Sequence, residues 1–169
     1  LPFCAPPQPV VPALKACGGV DSSNAARLCT AVTTILEKAS CEELASQEYL
    51  VHLIEKVGLS GDLRKERLYG QSLKYMRRIG SHSGLWQDPQ QIAGALLNLG
   101  LHARRAPPPT PFSYVEVGVF TAWSCCIISA YLRRTGGGAP FSGLAVDVKA
   151  ANIAASTMEM LTRLNVTFM

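Results

Sequence analysis

The sequence predicts an α/β protein built on a parallel sheet, and three observations carry that expectation. The stretch Ser113-Tyr114-Val115-Glu116-Val117 is aromatic and β-branched and stops at Gly118, the pattern of a buried parallel strand ending in a tight turn. Helical spacing follows at once, with Trp123, Ile127, Ala130 and Tyr131 on one face, Arg133 and Arg134 in the last turn, and Gly136-Gly137-Gly138 as the stop. A second apolar strand, Gly143-Leu144-Ala145-Val146, then delivers Asp147 at its carboxyl end, where open α/β sheets bind their ligands.

Taken in order, residues 1–20 read as a tail or linker, because Pro2, Pro6, Pro7, Pro9 and Pro12 exclude a helix or a central strand. Residues 21–80 read as a helical region. A first helix over 21–39 has Asp21 or Ser22 as its cap and Leu28, Val32, Ile35 and Leu36 as its apolar face. Ser40 and Glu43 form a capping box for a second, which carries Leu44, Leu50, Val51, Ile54 and Val57 inward until Gly58 ends it. A third, over 62–79, holds Arg64, Lys65, Arg67, Lys74, Arg77 and Arg78 against Asp62 and Glu66. That excess equals the net charge of the whole chain, +4. With Tyr69 and Tyr75 beside it, a phosphate-rich partner such as nucleic acid is one reading of this helix; the favoured one is an ordinary solvated face.

Residues 81–169 read as a partial Rossmann-like domain, entered through the loop Ser81-His82-Ser83-Gly84. Asp88 caps the next helix with Pro89 at its first position, and Ile92, Leu96, Leu97 and Leu99 give that helix its core side. Pro107-Pro108-Pro109 breaks the chain before the first strand. After Asp147, residues 150–164 read as a helix with Ile153, Met160, Leu161 and Leu164 inward, and 165–169 begin a third strand. A sheet of that size leaves an unpaired edge, so the expectation is a fold truncated after its third strand, completed by further strands or a partner chain. An opening residue of Leu1 rather than methionine suggests a start inside a longer product.

The chemistry of this strand, turn, helix and acid is nucleotide binding: a glycine admits close backbone approach, a helix start presents N–H groups, and a carboxylate accepts ribose hydroxyls. Only Gly118 of the dinucleotide fingerprint G-x-G-x-x-G is present in Gly118-Val119-Phe120-Thr121-Ala122, which disfavours a pyrophosphate cradle. Glu116-Val117-Gly118-Val119-Phe120-Thr121-Ala122-Trp123 resembles the E-x-G-x-x-x-G first motif of class I S-adenosylmethionine-dependent methyltransferases, with Ala122 where the family has its last glycine. Leu144-Ala145-Val146-Asp147 resembles the second motif, and Gly84-Leu85-Trp86-Gln87-Asp88-Pro89-Gln90-Gln91 is similar to the lead-in of a small-molecule O-methyltransferase-like branch. The resemblance covers 80–169 and implies a Rossmann-like methyltransferase fold and a transferase that binds S-adenosylmethionine and methylates an unidentified small acceptor. It implies that Glu116 and Gly118 line the methionine and ribose portion, flanked by Val119 and Phe120 in the turn, and that Asp147 takes the ribose hydroxyls. Trp86, in the loop before the helix that Asp88 caps, reads first as a packing anchor and second as a lid or adenine-side wall over a bound ligand. In that family the aligning residues come from later strands, so no catalytic base and no metal ligand is assigned.

Two further readings stay open: an NAD-dependent oxidoreductase, disfavoured by the single glycine, and a degenerate, non-catalytic scaffold domain, motivated by Ala122. Composition places the chain among folded globular proteins, at 48% hydrophobic and 17% charged residues. No apolar run reaches the length a bilayer requires, so no membrane span is expected. The six cysteines show no C-x-x-C spacing, and Cys125 and Cys126 are adjacent in a helix where they cannot easily pair. Reduced thiols, no metal site and a cytoplasmic location are therefore expected.

Overall fold

The computed structural model describes residues 24–58, 88–105, 111–119, 122–136, 140–148, 153 and 155–169. The proline-rich segment 1–20, the basic stretch 62–79, His82, Trp86 and Phe120 lie outside the described residues. Within them the protein is α/β, with strands β1 (Phe112–Val117), β2 (Phe141–Val146) and β3 (Val166–Phe168) paired in parallel in the order β1-β2-β3. The helices, in chain order, are α1 (Asn24–Lys38), α2 (Cys41–Leu44), α3 (Gln47–Gly58), α4 (Pro89–Arg105), α5 (Trp123–Thr135) and α6 (Ala155–Arg163).

The second predicted helix is two. The Ser40 and Glu43 capping box forms, with the Ser40 N–H donating to Glu43 at 2.7 Å and the Glu43 N–H donating to Ser40 Oγ at 3.1 Å. The helix it starts ends after one turn, because Ser46 caps anew: its Oγ accepts the Tyr49 N–H at 3.2 Å and its carbonyl accepts the Leu50 N–H at 3.1 Å. At the start of α4, Asp88 caps as the sequence suggests, accepting the Gln90 N–H at 2.8 Å.

Helix α5 is the centre of the molecule. From Trp123 to Leu132 every residue is buried, since α1 and α4 pack on it from outside and the sheet lies beneath. Its C-terminal end is tied down: Tyr131 donates to the Leu44 carbonyl at 2.8 Å, Arg133 to the Arg163 carbonyl at 2.9 Å, and Arg134 to the Ala39 carbonyl at 3.1 Å. The two arginines thus satisfy carbonyls at the ends of neighbouring elements as well as suiting the dipole of their own helix. One continuous apolar core joins Leu28, Val32 and Leu36 of α1, Leu50 and Ile54 of α3 and Leu96 of α4 to Ile127 and Leu132. The N-terminal helices therefore share their core with the sheet-bearing part.

A covalent bond reinforces that layer: Cys29 in α1 and Cys126 in α5 form a disulfide, with both residues fully buried and their Cα atoms 5.8 Å apart. This corrects the expectation of reduced thiols at these two positions. The partners are 97 residues apart in sequence, and only the packing of α1 on α5 brings them together. Cys41 and Cys125 remain free thiols.

The strands alternate in a way that the apolar sequence hides. Phe112, Tyr114, Phe141 and Phe168 pack against the core, whereas Ser113, Val115 and Val117 point to the other face, with Val115 57% and Val117 78% exposed. The strand β1, expected to be buried, is thus covered on one face only. No helix among the described residues is long and apolar enough to cross a membrane.

Candidate functional site

The parallel register places Val117 opposite Val146, so the chain leaves β1 and β2 side by side. Immediately beyond, the Gly118 N–H donates to the Val146 carbonyl at 2.8 Å, and the Asp147 N–H donates to the Met169 carbonyl at 3.2 Å. Gly118 and Asp147 therefore sit on adjacent strand ends at one rim of the sheet. Gly118 has φ +79°, a left-handed conformation that a side chain resists, and a Cβ built there would meet no atom within 4 Å. Its backbone is exposed and open to a ligand, and Asp147 beside it is half-buried.

The turn between β1 and α5 ends on a second left-handed residue. Ala122, at φ 64° and ψ 18°, precedes the helix without a side-chain cap; its N–H donates to the Val119 carbonyl at 2.6 Å, and its own carbonyl accepts the Cys126 N–H at 3.0 Å. Val119 is only 2% exposed and belongs to the core. Of the residues named for the site, Glu116, Gly118 and Asp147 are brought to neighbouring strand ends, Val119 turns inward, and Trp86 and Phe120 lie outside the described residues.

Glu116 is held by its neighbours. Tyr114 donates its hydroxyl to one carboxylate oxygen at 2.7 Å, and Ser124, in the first turn of α5, donates to the other at 2.5 Å. Tyr114 shares a strand face with Glu116 because side chains alternate with period two, and Ser124 arrives because the βα turn folds the helix start back over the strand end. The first partner was readable from the sequence as the residue two before an acid in an apolar strand. The second was not, because it depends on how the turn folds.

Burial, and then the Glu116 charge, push the Tyr114 hydroxyl far above its ordinary range. Burial and Glu116 likewise raise the Cys125 thiol to about 12. Both groups are therefore protonated at neutral pH, which suits Tyr114 as a donor to a carboxylate and rules it out as a base. The Cys125 thiol also hydrogen-bonds Glu116, so three side chains of the protein, Tyr114, Ser124 and Cys125, already meet this carboxylate.

Among the described residues no cluster of three or more His, Cys, Asp or Glu could hold a metal. A separate cleft of about 540 Å³, lined by Gln47, Glu48, Val51, His52, Glu55 and Gln90, lies on α3 and the start of α4. It involves none of the strand-end residues.

The chain matches no family model, no curated protein and no solved structure.

Proposed function

We propose that this chain carries the cofactor-binding half of a Rossmann-like, S-adenosylmethionine-dependent methyltransferase with an unidentified acceptor. The observation that carries the reading is the juxtaposition of Gly118 and Asp147 on adjacent, hydrogen-bonded strand ends. An open glycine backbone at φ +79°, a helix start without a side-chain cap and a carboxylate one strand over fit the amino-acid, ribose and adenine parts of one adenosyl ligand. In this reading Asp147 accepts from the ribose hydroxyls, and Gly118 and Glu116 line the methionine and ribose portion.

The bound cofactor would supply a methyl group already activated by the charge on sulfur. What the protein contributes is then alignment of the acceptor and exclusion of water. The described residues supply the holding groups, and no base is assigned among them. The same reading puts the protein in the cytoplasm, where Cys41 and Cys125 would stay reduced; the Cys29–Cys126 bond weighs against that setting. Nucleic acid remains the less favoured partner, because the charge pattern of the sequence 62–79 suits an ordinary solvated face better.

Isothermal titration with S-adenosylhomocysteine tests the reading. The intact protein should bind it, and Asp147→Ala should weaken binding by about tenfold or more, the worth of hydrogen bonds to a charged group. Equal affinity in the variant, or tighter binding of NAD in a competition titration, would reject it. A non-catalytic scaffold is the second reading, and one observation favours it: both Glu116 oxygens are already bonded within the protein. On that reading no adenosyl compound binds at all.

A further inference from the structure

We infer that the Cys29–Cys126 disulfide is a redox-sensitive fastening of the ligand-facing turn, holding the start of α5 in the shape the rim needs and releasing it when reduced. It concerns the protein's own turn, beyond the adenosyl reading above. The two ends of α5 are secured by different means. At the C-terminal end Tyr131, Arg133 and Arg134 each donate to a carbonyl of a neighbouring segment, at 2.8, 2.9 and 3.1 Å. At the N-terminal end Ala122 enters the helix in a left-handed conformation that a side chain resists, and without a side-chain cap. Cys126 closes that first turn: its N–H donates to the Ala122 carbonyl at 3.0 Å, and its sulfur is bonded to Cys29 of α1. Ser124 and Cys125, in the same turn, are two of the three side chains that meet Glu116 on β1. One covalent bond thus anchors the turn on which the rim is built.

Breaking the bond frees that end of the helix and leaves the other tied. A dithiol reductant, the class that keeps cellular thiols reduced, supplies the chemistry. One of its thiolates attacks a sulfur of the pair and expels the other cysteine as a thiolate, and its second thiol then displaces the protein sulfur from the mixed disulfide. Two electrons pass to the protein, which gains two thiols, and the reductant leaves as its own disulfide. Both sulfurs are fully buried, so the attack requires α1 to lift from α5, and the response is slow. Cys125, next in the chain, stays out of the exchange, because burial and Glu116 push its thiol up to about 12 and only a thiolate attacks. In a reducing compartment disulfides are transient and redox-sensing more often than permanent, and on those terms this bond and the cytoplasmic reading are compatible.

The test compares the full chain with the bond intact and, after refolding in dithiothreitol, with it reduced. Trp123 opens α5 and is 1% exposed, and the chain has 2 tryptophans, so a Trp86→Phe background makes its fluorescence a reporter of the turn. On reduction Trp123 emission should shift to the red and its quenching by acrylamide should rise severalfold, with far-UV circular dichroism unchanged, and reoxidation should reverse the shift. In the unmodified chain the affinity for S-adenosylhomocysteine should fall by about fivefold or more on reduction, the lower end of a typical coupling between sites. A Trp123 signal indifferent to reduction, or equal affinity in the two states, would overturn the inference and leave the adenosyl reading standing. Loss of the circular dichroism signal together with the fluorescence would show that the bond holds the whole fold, and would overturn it too. Should S-adenosylhomocysteine bind neither state, the adenosyl reading falls and the Trp123 signal alone decides this inference. Should Trp86→Phe fail to fold, alkylation of Cys125 by iodoacetamide in the unmodified protein, located by mass spectrometry, reads the same turn: it should be blocked with the bond intact and proceed once the bond is reduced.

Discussion

At the scale of single residues, the turn after β1 shows what its sequence is selected to do. Two of its residues adopt left-handed conformations, Gly118 at φ 79° and Ala122 at φ 64°. For Gly118 the conformation is nearly free, whereas for Ala122 it costs roughly 1–2 kcal/mol, which gives a physical reason for a glycine at that place in the motif that the turn resembles. Replacing Ala122 by glycine would relieve that strain but uncover core at a fully buried position, so the two effects roughly cancel and alanine is tolerated. The thiol next along has a measurable consequence. Cys125 is raised from 9.0 to about 12 by burial and by Glu116, so the folded state keeps a proton that the unfolded chain loses. Its contribution is complete below about pH 9 and declines as pH rises from there toward about 12, at up to about 1.4 kcal/mol per pH unit for one group. Tyr114, shifted in the same direction, adds to the decline above about pH 10. Urea midpoints measured from pH 7 to 10.5 should fall beyond pH 9, and Cys125→Ala should flatten the first part of that fall; a flat profile in the unmodified protein would refute the assignment.

Elements were legible wherever a local signal fixed them, and were missed where a second signal lay inside an apparently continuous one. Strands β1 and β2 and helices α4 and α5 fall where period and punctuation put them, because each is bounded by glycine, proline or a capping acid, whereas α6, without such a boundary, runs from Ala155 to Arg163 rather than over 150–164. The split between α2 and α3 was missed: Leu44, Leu50 and Ile54 keep helical spacing straight through it, and a serine cap at Ser46 competes with continuation only by hydrogen bonding. The half-open face of β1 was missed for another reason, that the exposed face carries Val115 and Val117 while the covered face carries Glu116, so polarity along the strand runs opposite to burial. Likewise Gly118 and Asp147 were legible as a pair because both end strands, while the clamp on Glu116 needed the fold of the turn. Between helices, a close approach is made at Gly100 in α4. A Cβ there would lie 2.9 Å from Tyr131 Cε1 and 3.1 Å from its hydroxyl oxygen, the group that donates to the Leu44 carbonyl. Tyr131 is fully buried and cannot swing aside without losing that bond. Gly100→Ala should therefore destabilise the protein by about 1–3 kcal/mol despite alanine's better helix propensity, whereas Gly94→Ala on the same helix, where nothing lies within 4 Å, should be neutral or stabilising. Thermal melts of the two variants check the contrast, and equal melting temperatures would show that α4 is not packed this closely on α5.

For the molecule as a whole, stability comes from the helical layer more than from the sheet. The strands offer one buried face, and the other presents Val115, Val117 and the hydrogen-bonded pair Ser113 and Ser142 without helices among the described residues to cover it. The helices by contrast enclose α5 almost completely, and the Cys29–Cys126 bond joins the first of them to it across 97 residues of chain. A loop of that length gives a chain-entropy stabilisation of about 4–5 kcal/mol, although measured losses on removing a disulfide run about 2–5 kcal/mol. Against a total of about 5–15 kcal/mol for an ordinary domain, this single bond is a large share. The double variant Cys29→Ala and Cys126→Ala should lower the urea midpoint accordingly, with part of the loss due to the space left by two buried sulfurs. Because both sulfurs are buried, a reducing agent added to the folded protein should act slowly, while unfolding and refolding in reductant should yield the destabilised form directly. Refolded protein whose midpoint is indifferent to reductant would show that the helical layer holds α1 on α5 without the bond, and that the thiols are paired by proximity alone.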